Sequence, residues 1–216
     1  MAAYDKDTGP DQSDNRSMTS GPSGLLLLGT SHVGKSTCAR GIGNAIGWPV
    51  ISTDKLGRHP GRPWTSVPDP VTEFYLRLTD DAIHWFLRVH HENMRPVIHE
   101  TIKAAREAGG GFILEGAALR PEYLSDWEIG EALVICLHAE RDALRERIER
   151  ESAYSQQSDQ MKIAIDKFVE RSVRENEALV KTAIRHKVLL VDVTDLKNVD
   201  RLTRELTSRL AGMSGR

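Results

Sequence analysis

Residues 29–36 read Gly-Thr-Ser-His-Val-Gly-Lys-Ser, directly after the apolar run Leu25–Leu28 and directly before a segment, Thr37–Ile46, with apolar residues at helical spacing. Few eight-residue stretches constrain a fold as tightly. The pattern G-x-x-x-x-G-K-[ST] between a short buried strand and a helix predicts a loop whose backbone N–H groups curl round phosphate oxygens. The helix start adds a partial positive charge of roughly half an elementary unit. In such a loop Lys35 reaches the β- and γ-phosphates and the Ser36 hydroxyl ligates Mg²⁺. Gly29, Ser31, His32, Val33, Gly34, Lys35, Ser36 and Thr37 are therefore read as the cradle of a nucleotide, ATP, with Mg²⁺ as the accompanying metal.

The rest of the chain agrees with an α/β architecture. Apolar runs recur at Pro49–Ser52, Gly111–Glu115, Ala132–Leu137 and Lys187–Val193. They lack polar alternation, as strands covered on both faces do. Helical spacing separates them: Val71–Leu78, Asp80–His91, Pro96–Ala108, Arg141–Glu151, Gln160–His186 and Asn198–Leu210. Alternation of this kind predicts a doubly wound, five-stranded parallel sheet with its ligands at the strand C-terminal ends. Those ends carry Gly29, Thr53-Asp54, Glu115-Gly116, His138 and Thr194-Asp195.

With 216 residues, one domain over 22–216 is expected, preceded by a polar stretch, 1–21, that reads as a flexible tail. A net charge of −2 gives no support for nucleic-acid binding. No apolar run approaches the ~18 residues of a membrane helix, and the two cysteines, Cys38 and Cys136, read as core residues of a reducing cytoplasm. The expected partner is a small-molecule substrate, with no membrane and a homodimer left open.

Subtraction narrows the class. An Asn-Lys-x-Asp guanine reader and the Leu-Ser-Gly-Gly signature of transporter ATPases are both missing, and no strand ends in an apolar run plus Asp-Glu. What remains resembles the small P-loop kinases of the nucleoside monophosphate kinase-like group, which also holds shikimate, gluconate and chloramphenicol kinases. It is most similar to the 2-phosphoglycerate kinase-like and zeta-toxin-like branches. The resemblance rests on Gly29–Ser36, Ser52-Thr-Asp-Lys, Ile113-Leu-Glu-Gly and the arginine-rich stretch Arg141–Arg174. It implies a lid over about 141–174 and an adenine site near Thr194-Asp195. It also implies phosphoryl transfer from ATP to a hydroxyl of a small molecule.

Asp54 is the second informative residue. Leaving the strand beside the phosphate loop, it can orient an acceptor hydroxyl, take its proton and help hold Mg²⁺. It also suits a plain turn or helix cap. Glu115, at the end of the third strand, can meet the Mg²⁺ shell or the substrate, or simply be a strand exit. The loop Lys55–Trp64 gathers Arg58 and Arg62 as candidate substrate residues, against the alternative of a solvated loop. Arg147 and Arg150 are the expected catalytic lid arginines, although Glu140, Glu146, Glu149 and Glu151 alongside them also fit a salt-bridged surface. His90, His91 and His99 lack metal-ligand spacing and read as surface positions, while Trp85, Phe86 and Leu87 read as helix core. A nucleoside, nucleotide or polynucleotide 5′-hydroxyl kinase and an ATP-gated binding module are the rival readings.

Overall fold

The computed structural model describes residues 22–65 and 68–214. The stretch 1–21, read above as a tail, lies outside them. Five parallel strands run β1 Gly24–Leu28, β2 Val50–Ser52, β3 Phe112–Gly116, β4 Leu133–His138 and β5 Leu189–Asp192, in the order β2-β3-β1-β4-β5. Six helices connect or flank them: α1 Lys35–Ile46, α2 Asp69–Arg77, α3 Asp80–Ala108, α4 Arg141–Glu151, α5 Asp159–Arg185 and α6 Lys197–Ser214.

The central strand shows why the sheet forms. Its four leucines are fully buried, Leu25 and Leu27 in one core and Leu26 and Leu28 in the other. Burying each side chain contributes about 2 kcal/mol. Residues of α1, α4 and α6 and part of α5 fill the first core, with Cys38, Ile42, Leu144, Phe168 and Leu206. Residues of α3 and the end of α5 fill the second, with Ile98, Ile102, Leu179 and Ala183. Both cysteines are free and buried, as expected. Among the described residues no helix is long and apolar enough to cross a membrane.

One element departs from the sequence reading. Where two helices were expected, 80–91 and 96–108, a single helix of 29 residues runs through Pro96. Proline removes the hydrogen bond to the carbonyl four residues earlier. Here that carbonyl belongs to Glu92, an exposed residue, so the loss is tolerable at the surface. Continuity aligns Ile83, Leu87, His91, Met94, Ile98 and Ile102 on one buried stripe. His91 is therefore buried rather than superficial, and Trp85 and Phe86 fall off the stripe, Trp85 with 67% of its surface exposed.

Candidate functional site

The loop after β1 has the backbone geometry expected of a phosphate cradle. Gly34 takes φ 86°, and an added Cβ would lie 2.9 Å from a methyl of Val199. Only glycine combines that turn with that approach. His32 also adopts positive φ, at 65°. Helix α1 then begins with no acidic residue of its own in its first turn, so its positive end is open to an anion from elsewhere. Lys35 is buried and donates from Nζ to the Thr30 carbonyl at 2.7 Å. Burial pushes its ammonium below the ordinary lysine value, against the pull of Glu115 and Asp54.

Ser36, on the first turn of α1, donates from Oγ to Glu115 Oε1 at 3.0 Å. Glu115 is buried at the end of β3, and the parallel register of β1 with β3 sets it beside the loop. Next to it, Gly116 faces Thr53: a Cβ there would stand 1.7 Å from Thr53 Oγ1. The exit of β3 is thus fitted against the turn, Thr53–Lys55, that carries Asp54.

Two hollows meet at this turn. The larger, about 490 Å³, lies over the loop and is bordered by Ser31, His32, Gly34, Lys35, Ser36 and Thr37, with Arg62, Arg147 and Arg150 across from them. The smaller, about 30 Å³, lies between the loop and α3 and is bordered by His59, His90, His91, Arg171 and Glu175. Asp54, Ser31 and Ala117 border both. The residues expected in the cradle separate accordingly: Val33 is fully buried in the first core and Gly29 borders neither hollow, so these two shape the loop from behind. Arg58 is exposed and borders neither hollow. Arg62 borders the larger one, where it pairs with Glu151 at 2.5 Å.

The arginines of 141–174 have different fates. Arg147 donates to the main-chain carbonyls of His32 at 3.0 Å, Val193 at 2.5 Å and Thr194 at 2.8 Å, so its guanidinium ties the loop to the exit of β5. Arg150 is exposed at the rim, 3.5 Å from Glu146. Arg141, Arg145 and Arg174 pair with Glu170, Asp166 and Asp81. Much of 141–174 packs in the first core through Leu144, Ile148, Ile165, Phe168 and Val173, and the connection 152–158 lies between the two helices.

Burial holds the His32 and His91 imidazoles well below their ordinary value. Burial, reinforced by Arg62 and Lys35, holds His32 down at about 3. Its Nε2 lies 3.1 Å from Glu151 Oε2 without forming a hydrogen bond. His91 is likewise held at about 3 by burial, with smaller contributions from His90 and Arg171. Arg120, with no exposed side-chain surface, pairs with Glu175, whose carboxyl burial pushes up against the pull of Arg120 and Arg171. Arg120 and Glu175 escaped the sequence reading, and His91 reads there as a surface position; the helical stripe through Leu87 and Met94 is the signal for its burial.

No protein-family model matches the chain, and no curated protein does. Solved structures do. A sugar kinase from Janibacter sp. HTCC2649 superposes with a TM-score of 0.51 at 16% identity, covering 90% of this chain and 99% of that one. The fold is that of the small P-loop kinases. A dephospho-CoA kinase from Campylobacter jejuni (13% identity, 88% and 98% of the two chains, TM-score 0.49) and a shikimate kinase from Bacteroides thetaiotaomicron (14%, 87% and 97%, TM-score 0.47) are also similar. In this chain Gly29–Ser36 follows β1, the central strand of the order β2-β3-β1-β4-β5.

Proposed function

We propose that the protein is an ATP- and Mg²⁺-dependent kinase that transfers the γ-phosphoryl group to a hydroxyl of a small metabolite. The observation that carries this reading is the position of Asp54, among the described residues the one carboxylate bordering both hollows. A molecule in the smaller hollow presents its hydroxyl where a molecule in the larger one ends. Asp54 aligns that hydroxyl and takes its proton as the new bond to phosphorus forms. Lys35 and the α1 N-terminus face the terminal phosphates and stabilise the charge on the transferring group.

The residues present fit Mg²⁺. Ser36 Oγ and the Glu115 carboxylate it touches, with Asp54 bordering the same hollow, offer oxygen donors of the kind a hard cation takes. These oxygens would hold the ion, which would supply positive charge against the nucleotide's phosphates. Arg150 and Arg62 reach the same space from the rim, while Arg147 acts through the loop it braces. The near-neutral net charge and the small size of the second hollow favour a metabolite over a polynucleotide.

The test is ATP turnover against a pooled library of hydroxyl metabolites, with mass spectrometry for products one phosphoryl group heavier. Turnover that disappears in Asp54→Asn while ATP binding persists supports the kinase. Tight ATP binding with no product from any acceptor, unaffected by that substitution, overturns it in favour of a nucleotide-gated binding module.

A further inference from the structure

The smaller hollow holds a chemical mismatch. Arg171 retains only 7% of its surface, yet among the described residues no carboxylate forms an ion pair with it. Its guanidinium lies over the Phe168 ring at 4.3 Å and donates only to two neutral hydroxyls, Tyr75 Oη at 3.3 Å and Ser31 Oγ at 3.4 Å. Its Nε has no partner. Buried charges are ordinarily paired, because taking a lone ion out of water costs several kcal/mol. Glu175, the carboxylate on the same helix bordering this hollow, gives its Oε1 to Arg120 and feels Arg171 only through space, forming no hydrogen bond or ion pair with it. Beside Arg171, His91 is also buried, and its Nδ1 makes no hydrogen bond, lying 3.7 Å from Glu175 Oε1.

We propose that this hollow takes a carboxylate carried by the acceptor, held by Arg171 with His90 and His91 beside it, so that the phosphorylated compound is a small hydroxy acid. The inference rests on the kinase reading above and names its substrate class. Size argues the same way. A cavity needs about 10–15 Å³ on this scale to hold one water, so about 30 Å³ offers the room of two oxygens, enough for a carboxylate and too little for a nucleobase. Trp64, the aromatic that could have stacked on a base, is packed against His32 and Phe168, with ring centroids 5.9 Å and 4.9 Å away. With Asp54 on the rim and Arg171 inside, one short molecule spans both, its hydroxyl toward the nucleotide and its carboxylate away from it.

The experiment offers the full chain ATP, Mg²⁺ and an equimolar mixture of three matched pairs: glycerate with glycerol, threonate with threitol, gluconate with glucitol. Mass spectrometry counts phosphorylated products. A buried group left without its partner discriminates by orders of magnitude, so the favoured acid is expected to exceed its neutral counterpart about a hundredfold or more. Arg171→Lys keeps the charge and loses the two-point grip, and should raise KM for that acid about tenfold. Arg171→Gln should raise KM further and collapse the preference for the acid. Both variants are checked for folding by their thermal shift with Mg-ADP. If neither folds, His90→Gln on the rim supplies the reading, with a rise in acid KM and unchanged KM for ATP.

Neutral alcohols phosphorylated as readily as acids would overturn the inference and leave the kinase reading standing. So would Arg171 variants that lower kcat for acid and alcohol alike with the preference intact, since that places the guanidinium on the transferring phosphate. No product from any of the six compounds, with ATP bound, would overturn this inference, while the kinase reading is decided separately by the pooled library above.

Discussion

Acidification should unfold this protein through its buried imidazoles well before its carboxylates respond. His32 and His91, with side chains 4% and 3% exposed, are both held at about 3 in the folded chain, against an ordinary value of 6.5. Above pH 6.5 they are neutral folded or unfolded and contribute no pH dependence. Below it the unfolded chain takes up protons that the folded chain refuses, so stability falls as pH falls toward 3. At pH 5.5 each unfolded histidine gains RT ln(1 + 10), about 1.4 kcal/mol, so the pair should remove about 2.7 kcal/mol between pH 7.5 and 5.5. His59, His84 and His90 are shifted in the same direction by burial and add to the loss. Urea unfolding followed by tryptophan fluorescence at constant ionic strength measures it, since Trp48 and Trp127 are buried. His32→Asn, which tolerates the positive φ, should recover about half of the pair's contribution. Stability at pH 5.5 within 0.5 kcal/mol of that at 7.5 would refute the reasoning (a threshold of about the precision of the linear extrapolation), as would a His32→Asn variant that loses as much as the parent.

Four substitutions test other parts of the site. Lys35→Ala should abolish turnover with the fold retained, checked by circular dichroism beside the activity assay; substantial residual activity would remove Lys35 from the chemistry. Asp54→Asn should lower kcat by about 10²–10⁴ with ATP affinity within a few-fold, as expected for loss of a general base. Arg147→Ala leaves three carbonyls without their donor and should destabilise the fold by about 2–4 kcal/mol, read as a drop in Tm; an unchanged Tm with lost activity would return Arg147 to a catalytic role. Gly116→Ala should drive Thr53 aside and carry Asp54 with it, so kcat falls more than KM for ATP rises.

The phosphate loop was legible because its chemistry demands fixed residue types in eight consecutive positions, and the strands because a doubly covered strand has no polar face to interrupt it. Asp54 and Glu115 were legible by place, each leaving a strand at the ligand end of a parallel sheet. Other features lay beyond any local pattern. The partners of Arg147 are carbonyls 115 and 46 residues away along the chain, and main-chain acceptors have no sequence signature. Arg120 finds Glu175 across 55 residues. Pro96 concealed His91 by suggesting a break, since whether a proline ends a helix depends on whether the orphaned carbonyl can face water.

Placing Asp54 on the border of two hollows has a consequence for how such a protein changes over time. The larger hollow is built from the loop after β1 and braced by main-chain contacts that few substitutions can improve. The smaller is bounded on its far side by the 57–64 loop and α3, joined to the first only through Asp54, Ser31 and Ala117. Residues of that far side can be exchanged without disturbing the loop after β1. On the kinase reading proposed above, a lineage carrying this arrangement alters its acceptor one side chain at a time, each intermediate retaining the loop that reading assigns to the nucleotide.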